Sequence, residues 1–154
     1  MVKAKPGGYG SVTAYLIAAD AAAAIRFYQA AFGARERMRL AMPGGKIGHA
    51  ELDIGDSVIM LADESPDHRA LRQPEAEARA ITLHLYVDDA DATVAAAVAA
   101  GAHAREPVTD KFYGDRSGTI VDPFGHVWHI ATHVEDVSEA EIGRRLAAMA
   151  PSAP

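Results

Sequence analysis

The sequence predicts an α+β domain made of two βαβββ modules whose strands form a curved, eight-stranded mixed sheet around a cleft. One reason is that the order strand, alanine-rich helix, three strands occurs twice along the chain. The other is that the two copies align at these positions: Asp20 with Asp89, Gly33 with Gly101, the Gly55 turn with the Gly125 turn, and Ile59 with His129. The 154 residues are 49% apolar and 23% charged, which is typical of one globular domain.

The first module is predicted at about 11–62. Residues 11–18 read as a strand, Asp20 is the expected N-cap of a helix that runs to about Phe32, and Gly33 ends that helix. Three strands follow, at 35–41, 47–54 and 57–61, with turns at 43–45 and 55–56. The preceding residues 1–10 form a Gly/Pro/Lys segment that we expect to be a flexible tail.

The second module is predicted at about 80–133, after a polar linker at 63–79 in which we expect His68 to be solvated. It comprises a strand at 81–87, a helix capped by Asp89 or Asp91, a strand near 104–108 and a hairpin. The hairpin strands, 118–121 and 126–131, flank the turn Asp122-Pro123-Phe124-Gly125.

A C-terminal helix is predicted over Val137–Met149. Ser138 and Glu141 have the spacing of a capping box, and Ile142 and Leu146 would form the buried edge of the helix. We expect this helix to pack along a dimer of the chain or over the junction between the two modules.

Charge and composition exclude several classes of function. The net charge of −6 argues against non-specific binding to nucleic acid or to an anionic membrane surface. The chain has no cysteine, so disulfides, thiolate metal sites and cysteine nucleophiles are excluded. Residues 1–11 have no apolar segment like that of a signal peptide, and we expect a soluble cytoplasmic protein.

Strand alternation predicts which side chains face the cleft. Because the helices cover the convex sheet faces, Phe27, Trp128 and Ile130 are expected in the core. The opposite parity gives a cleft lined by polar groups: Tyr15, His49, Glu51, His84, Tyr86 and His129. Such groups in a partly apolar groove are typical of a small-molecule site, with Glu51 and His129 as the candidate catalytic residues.

The loop before the hairpin carries a second polar group, Tyr113, Asp115 and Arg116. Arg116 is either a structural ion-pair partner of Asp115 or, together with Tyr113, a binding group for an anionic or carbonyl-bearing ligand. His126 and His133 are expected at surface positions near turns, in ordinary hydrogen-bonded networks.

Four segments carry a family resemblance: AIRFYQAAFGA (24–34), GHAELDIGDSVIML (48–61), LYVDDADATVAAAVAAGA (85–102) and FYGDRSGTIVDPFGHVWHIATHVEDVSEAEI (112–142). They resemble the vicinal oxygen chelate superfamily, the glyoxalase/bleomycin-resistance/dioxygenase fold, and within it the PhnB-like branch. The resemblance covers nearly the whole chain. It implies the paired-module fold and a homodimer with two-fold symmetry.

The same resemblance implies where a metal would be bound. Metal-dependent members place ligands on the first and last strand of each module, and the corresponding positions here are Thr13, Ile59, Thr82 and His129. Only His129 is a good ligand, so we expect the standard metal site to be absent and no cofactor to be needed. A relocated site for Zn, Ni or Fe is the alternative, with His49, Glu51, His84 and His129 as its ligands.

Three functions remain open at this point. The first is binding of a small molecule in a metal-free cleft, either for sequestration or as a diverged lyase or isomerase. The second is a lyase, isomerase or dioxygenase that uses the relocated metal site. The third is a non-catalytic interaction module.

Overall fold

The structure, a computed structural model, describes residues 3–65, 67, 70–72 and 81–149. The βαβββ order occurs twice, as predicted, and the elements of the first module are β1 (Ala14–Ala18), α1 (Ala21–Phe32), β2 (Arg35–Ala41), β3 (Ile47–Ile54) and β4 (Ser57–Asp63). The second module comprises β5 (Thr82–Tyr86), α2 (Ala90–Ala99), β6 (His103–Asp110), β7 (Asp115–Val121) and β8 (Val127–His133), and α3 (Glu139–Met149) follows it. No helix in the described part of the chain is long and apolar enough to cross a membrane.

The strands form two four-stranded sheets with the orders β1-β4-β3-β2 and β5-β8-β7-β6. In each sheet the first strand of the module runs parallel to the last, and the other pairs are antiparallel. β1 and β5 are therefore edge strands and do not pair with each other. The eight predicted strands are confirmed, and in one chain they form two separate four-stranded sheets.

Capping fixes where the two central helices begin. The Asp20 carboxylate accepts a hydrogen bond from the Ala23 amide at 2.8 Å, and the Asp89 carboxylate accepts one from Ala92 at 2.9 Å. Asp89 is thus the N-cap, and not Asp91. Gly33 ends α1 in the left-handed conformation, with φ of 63°.

The core lies on the helix side of both sheets. Leu16, Leu52 and Leu61 face it from the first sheet, and Trp128 and Ile130 from the second. α1 and α2 also pack against each other, and the α1 rings contact the second module: Phe27 with Phe124, and Tyr28 and Phe32 with Trp128. The modules are therefore joined through their helices, and the predicted burial of Phe27, Trp128 and Ile130 is confirmed.

The strand register corrects one match between the modules. Tyr15 pairs with Met60 across β1 and β4, and His84 pairs with His129 across β5 and β8. Ile59 is buried on the helix side, so it cannot be the counterpart of His129, which lies on the opposite face of its sheet. Met60 is the counterpart, because the hairpin turn of the second module is longer than the turn at Gly55.

The C-terminal helix is less buried than its amphipathic pattern predicts. Leu146 is exposed, Ile142 is half-buried, and no residue of α3 is fully buried. Polar contacts attach the helix instead, because the Arg145 guanidinium binds the Phe112 carbonyl and both Glu135 carboxylate oxygens. The predicted capping interaction forms, with the Glu141 amide 3.3 Å from the Ser138 hydroxyl.

Candidate functional site: two polar sheet faces

The polar residues predicted for the cleft lie on two separate surfaces. Tyr15, His49 and Glu51 occupy the side of the first sheet opposite α1, which we name the sheet-1 face. His84, Tyr86 and His129 occupy the corresponding side of the second sheet, the sheet-2 face. Among the described residues, no hydrogen bond or ring contact joins these two groups within the chain. The predicted face of each side chain agrees with the strand register, and the six residues form one group on each sheet.

Glu51 is the centre of the sheet-1 face. It is only 5% exposed, and its two carboxylate oxygens have different partners. Oε2 accepts a 2.5 Å hydrogen bond from the Tyr9 hydroxyl, and Oε1 lies 3.1 Å from His49 Nε2. His49 Nδ1 in turn lies 2.9 Å from the Tyr15 hydroxyl. A continuous hydrogen-bonded chain therefore runs from Tyr9 through Glu51 and His49 to the half-exposed Tyr15.

These hydrogen bonds set the protonation state of the Glu51 carboxyl. The hydrogen bond from Tyr9 lowers the pKa of the Glu51 carboxyl, burial opposes this, and the bond from His49 lowers the pKa further. Glu51 is therefore ionised at neutral pH and acts in the structure as an acceptor. This arrangement is that of a network member rather than of a general base with a raised pKa.

Tyr9 was not expected here, because the sequence predicted a flexible tail. Its ring lies under the Arg37 guanidinium, with Arg37 Cζ 4.7 Å from the ring centroid. Arg37 is placed there by a bulge in β2 between Glu36 and Met38. The segment before β1 thus lies over the sheet-1 face instead of extending into solvent.

The sheet-2 face contains a groove of about 430 Å³ around two imidazoles. Its lining comprises Thr82, His84, Arg105, Glu106, Thr119, Val127 and His129. The His84 and His129 rings lie side by side on neighbouring parallel strands, with centroids 5.0 Å apart. Burial lowers the pKa of His129, and the neighbouring His84 lowers it further, so His129 is neutral at pH 7.

The hydrogen bonds of Thr119 select the tautomer of His129. The Thr119 hydroxyl donates to Glu106 at 3.0 Å and lies 3.1 Å from His129 Nδ1. Because the hydroxyl has only one proton, Nδ1 is the donor in the second bond. His129 Nε2 is then an unprotonated acceptor, and it has no hydrogen-bond partner among the described residues. This nitrogen can accept a proton or a hydrogen bond from a ligand.

A buried carboxylate, Asp115, lies at the other end of the sheet-2 face, at the start of β7. It is 4% exposed and accepts hydrogen bonds from the Tyr86 hydroxyl at 2.9 Å and from His133 Nδ1 at 2.8 Å. His133 Nε2 lies 3.0 Å from Asp136. The hydrogen bond to Asp115 raises the pKa of His133, and that to Asp136 raises it further. His133 therefore has the hydrogen-bonded role that the sequence predicted.

Three predicted residues have contacts that differ from expectation. Arg116 does not pair with Asp115 but with Asp91 and Asp110, because it points to the α2 side of β7. His126 is buried rather than at the surface, with Nδ1 3.5 Å from Asp122. Tyr113 is half-buried and its ring packs edge-on against Phe112. His68 lies outside the described residues.

Two four-stranded mixed sheets built from paired βαβββ modules match the fold of the vicinal oxygen chelate proteins. Residues 10–130 match the Glyoxalase/Bleomycin resistance protein/Dioxygenase superfamily, and the chain belongs to this family. Over 135 residues it is 37% identical to an uncharacterized protein of Mycobacterium tuberculosis, an alignment that spans 86% of this chain and 79% of that one.

Solved structures agree with this assignment. TioX from Micromonospora sp. ML1 is 27% identical, with a TM-score of 0.62 over 81% of this chain and 100% of that one. A PhnB protein from Bacillus cereus is 16% identical, with a TM-score of 0.63 over 80% and 99% of the two chains, and this likeness shows the fold alone.

Apart from His129, the side chains at the positions that the family resemblance implies for a metal are poor ligands. With the register corrected, these implied positions are Thr13, Met60, Thr82 and His129. Two hydroxyls and a thioether beside one imidazole are a poor donor set for a divalent ion. Among the described residues, no three His, Asp or Glu side chains form a group that could hold a metal.

Proposed function

We propose that the protein binds a small molecule between its polar sheet faces, without the family's standard metal site. The observation that carries the proposal is the pair of buried carboxylates, Glu51 and Asp115, each on a sheet face opposite the hydrophobic core. Burying a carboxylate is costly unless it is paired, and here the partners are phenols and imidazoles. Such preorganised polar groups are typical of a ligand site.

A second copy of the chain would complete the cleft. Each polar face lies opposite the helices that join the modules, so the two faces of one chain do not oppose each other. The residues just before the edge strands β1 and β5 include exposed apolar side chains, Val12 at 92% and Ile81 at 68%. Exposed edges and apolar patches of this kind favour association. We infer a homodimer in which the sheet-1 face of one protomer opposes the sheet-2 face of its partner.

The proposed roles follow from the protonation states. Glu51, ionised, accepts hydrogen bonds from ligand hydroxyl groups, and His129 Nε2 accepts a proton or a hydrogen bond. Tyr15, His49, His84 and Tyr86 position the ligand around these two groups. Acting as a proton acceptor, His129 would support a diverged lyase or isomerase reaction. Arg116, bound to Asp91 and Asp110, has a structural role in this proposal, and Tyr113 lies at the margin of the site.

The test is native mass spectrometry of untagged protein, followed by thermal-shift measurements with the compound that co-purifies. A ligand that binds only the folded state raises the melting temperature. We expect this rise to be lost in His129→Ala and kept in His103→Ala, which removes an exposed imidazole from β6. Binding that is unchanged in His129→Ala, or the absence of any stabilising ligand, contradicts the proposal and favours an interaction module.

The relocated metal site remains the competing function, because His84 and His129 already lie side by side. Elemental analysis of the same untagged protein separates the two functions. We expect substoichiometric metal and a melting temperature that chelator does not change. One tightly held Zn, Ni or Fe per chain would establish the metal-dependent function instead. The PhnB-like branch and the cytoplasmic location stay predictions from the sequence.

A further inference from the structure

Side-chain contacts of one residue, Tyr9, hold the described part of the segment before β1 against the domain. Among described residues 3–12, Tyr9 is the one whose side chain makes a hydrogen bond, and no backbone hydrogen bond holds the segment to a strand. Gly7 and Gly8 form a turn, and a Cβ at Gly8 would lie 3.2 Å from the Arg37 guanidinium. The turn therefore brings the backbone close to Arg37 and places the Tyr9 ring beneath it.

The surroundings of Tyr9 are those of a bound phenol. Its hydroxyl donates to a buried carboxylate, Glu51, and its ring face contacts a guanidinium, Arg37. The carboxylate recognises the hydroxyl proton, and the cation recognises the aromatic face. Both Glu51 and Arg37 belong to the sheet, so they remain in place when the segment leaves. Asp53 bonds Arg35 and lies 3.6 Å from Arg37, which helps to hold Arg37 over the site.

We propose that Tyr9 occupies the site of a phenolic ligand, and that a hydroxyl-bearing aromatic compound binds to Glu51 and Arg37 by displacing it. The inference rests on the proposed function and names the ligand class for its sheet-1 face. In the absence of ligand, Tyr9 satisfies the buried carboxylate. When the ligand binds, the segment before β1 moves away, and the chain Glu51–His49–Tyr15 stays intact beneath the ligand.

The attachment of Tyr9 sets how strongly it competes with a ligand. Tyr9 is tethered, so its effective concentration at Glu51 is on the order of millimolar. A charge-assisted hydrogen bond gives roughly a tenfold or greater preference for the closed state. Removing the Tyr9 hydroxyl should therefore raise the affinity for a free phenol by roughly tenfold.

The experiment measures binding of p-cresol, a phenol of the same shape as the tyrosine side chain, by NMR titration of full-length protein. Tyr9→Ala and Tyr9→Phe should bind p-cresol about tenfold more tightly than wild type. Lys5→Ala, in the same segment and exposed, is the matched control and should bind as wild type does. Toluene lacks the hydroxyl and should bind Tyr9→Ala roughly tenfold more weakly than p-cresol does.

Glu51 provides the decisive variant. The double variant Tyr9→Ala/Glu51→Gln should lose the preference for p-cresol over toluene. The inference is refuted if the affinity of Tyr9→Ala for p-cresol is no higher than that of wild type, or no higher than its own affinity for toluene. It is also refuted if adding Glu51→Gln leaves the preference for p-cresol over toluene unchanged. The proposed function is tested separately at His129. If His129→Ala abolishes binding of the co-purifying ligand but Tyr9→Ala does not bind p-cresol, the phenol site is refuted and the proposed function stands.

Discussion

Asp122, in the hairpin turn, is the most heavily hydrogen-bonded buried side chain of the second module, and its replacement gives a sharp test of the fold. Its side chain is 0% exposed. Oδ1 accepts from the amides of Phe124 and His126, both at 2.9 Å. Oδ2 accepts from the Tyr28 hydroxyl at 2.6 Å and from Trp128 Nε1 at 3.0 Å. Asp122 thus ties α1 of the first module to the turn and core of the second.

The two substitutions Asp122→Ala and Asp122→Asn should differ in cost. Alanine leaves four buried donors without an acceptor, each costing about 1–3 kcal/mol before water and relaxation recover part of it, so we expect a loss of about 3–5 kcal/mol. Asparagine keeps Oδ1 for the two backbone amides. Its NH₂ group faces Trp128 Nε1–H, which can only donate, so the expected loss is about 1–3 kcal/mol.

Urea unfolding measures both losses as changes in the free energy of unfolding. Asp56→Ala is the matched control, because Asp56 is an exposed carboxylate in the β3–β4 turn, and it should change stability by about 0.5 kcal/mol or less. A cost below about 1 kcal/mol for Asp122→Ala would refute the reasoning. So would an asparagine variant that is less stable than the alanine variant.

The pH dependence of the same variants gives an independent test. Burial raises the pKa of Asp122, but the interactions with His126, Tyr28 and Trp128 outweigh it, so the pKa lies below the ordinary value of 3.8. A lowered carboxyl pKa contributes stability that is present above the ordinary value and is lost as pH falls through the folded-state value. The stability difference between wild type and Asp122→Asn should therefore shrink below about pH 4.

Two further predictions concern the sheet-2 face and the C-terminal segment. NMR titration should find the pKa of His133 above 6.5 and that of His129 below 6.5. Asp136→Asn should lower the pKa of His133, and His84→Gln should raise the pKa of His129. Shifts in the opposite directions would show that these contacts are misassigned. Gly114→Ala should cost at least about 1–3 kcal/mol, because Gly114 has φ of 101° and an added Cβ would lie 2.1 Å from the Glu135 carbonyl. An alanine variant as stable as wild type would contradict that close approach.

Local signals in the sequence predict the fold well. Asp20 and Asp89 cap helices by a mechanism that depends on neighbouring residues, and strand alternation assigns the correct face to Trp128 and His129. The match of Ile59 with His129 failed because the two hairpin turns differ in length, which shifts the register by one residue. A shift of one moves a side chain to the other face, so the counterpart is Met60.

The candidate site is less predictable because its contacts are distant along the chain. Tyr9 and Glu51 are 42 residues apart, and nothing in a Gly/Pro/Lys segment indicates that its tyrosine returns to a sheet. Arg116 has an acidic neighbour at 115, yet it bonds Asp91, 25 residues away on α2. Thr119 could have been found, since it shares the parity of Asp115 along β7 and therefore lies on the polar face.

The two modules place different chemistry at equivalent positions, which allows a direct test of how the cleft is assembled. Next to Met60 the first sheet has Glu51, and next to His129 the second sheet has Thr119. The first face therefore provides an anionic acceptor and the second a neutral imidazole, and a ligand that needs both must contact both faces. If the faces come from two protomers, each two-fold dimer has two identical clefts.

A mixed dimer should therefore recover binding that both parent variants lack. Glu51→Gln and His129→Ala chains carrying different purification tags are co-expressed, and the heterodimer is isolated. One of its clefts combines both substitutions, and the other has Glu51 from one protomer and His129 from its partner, so calorimetry with the co-purifying compound should find one site per dimer. A heterodimer with no site, or a monomer in light scattering, would show that the faces of different protomers do not form the cleft.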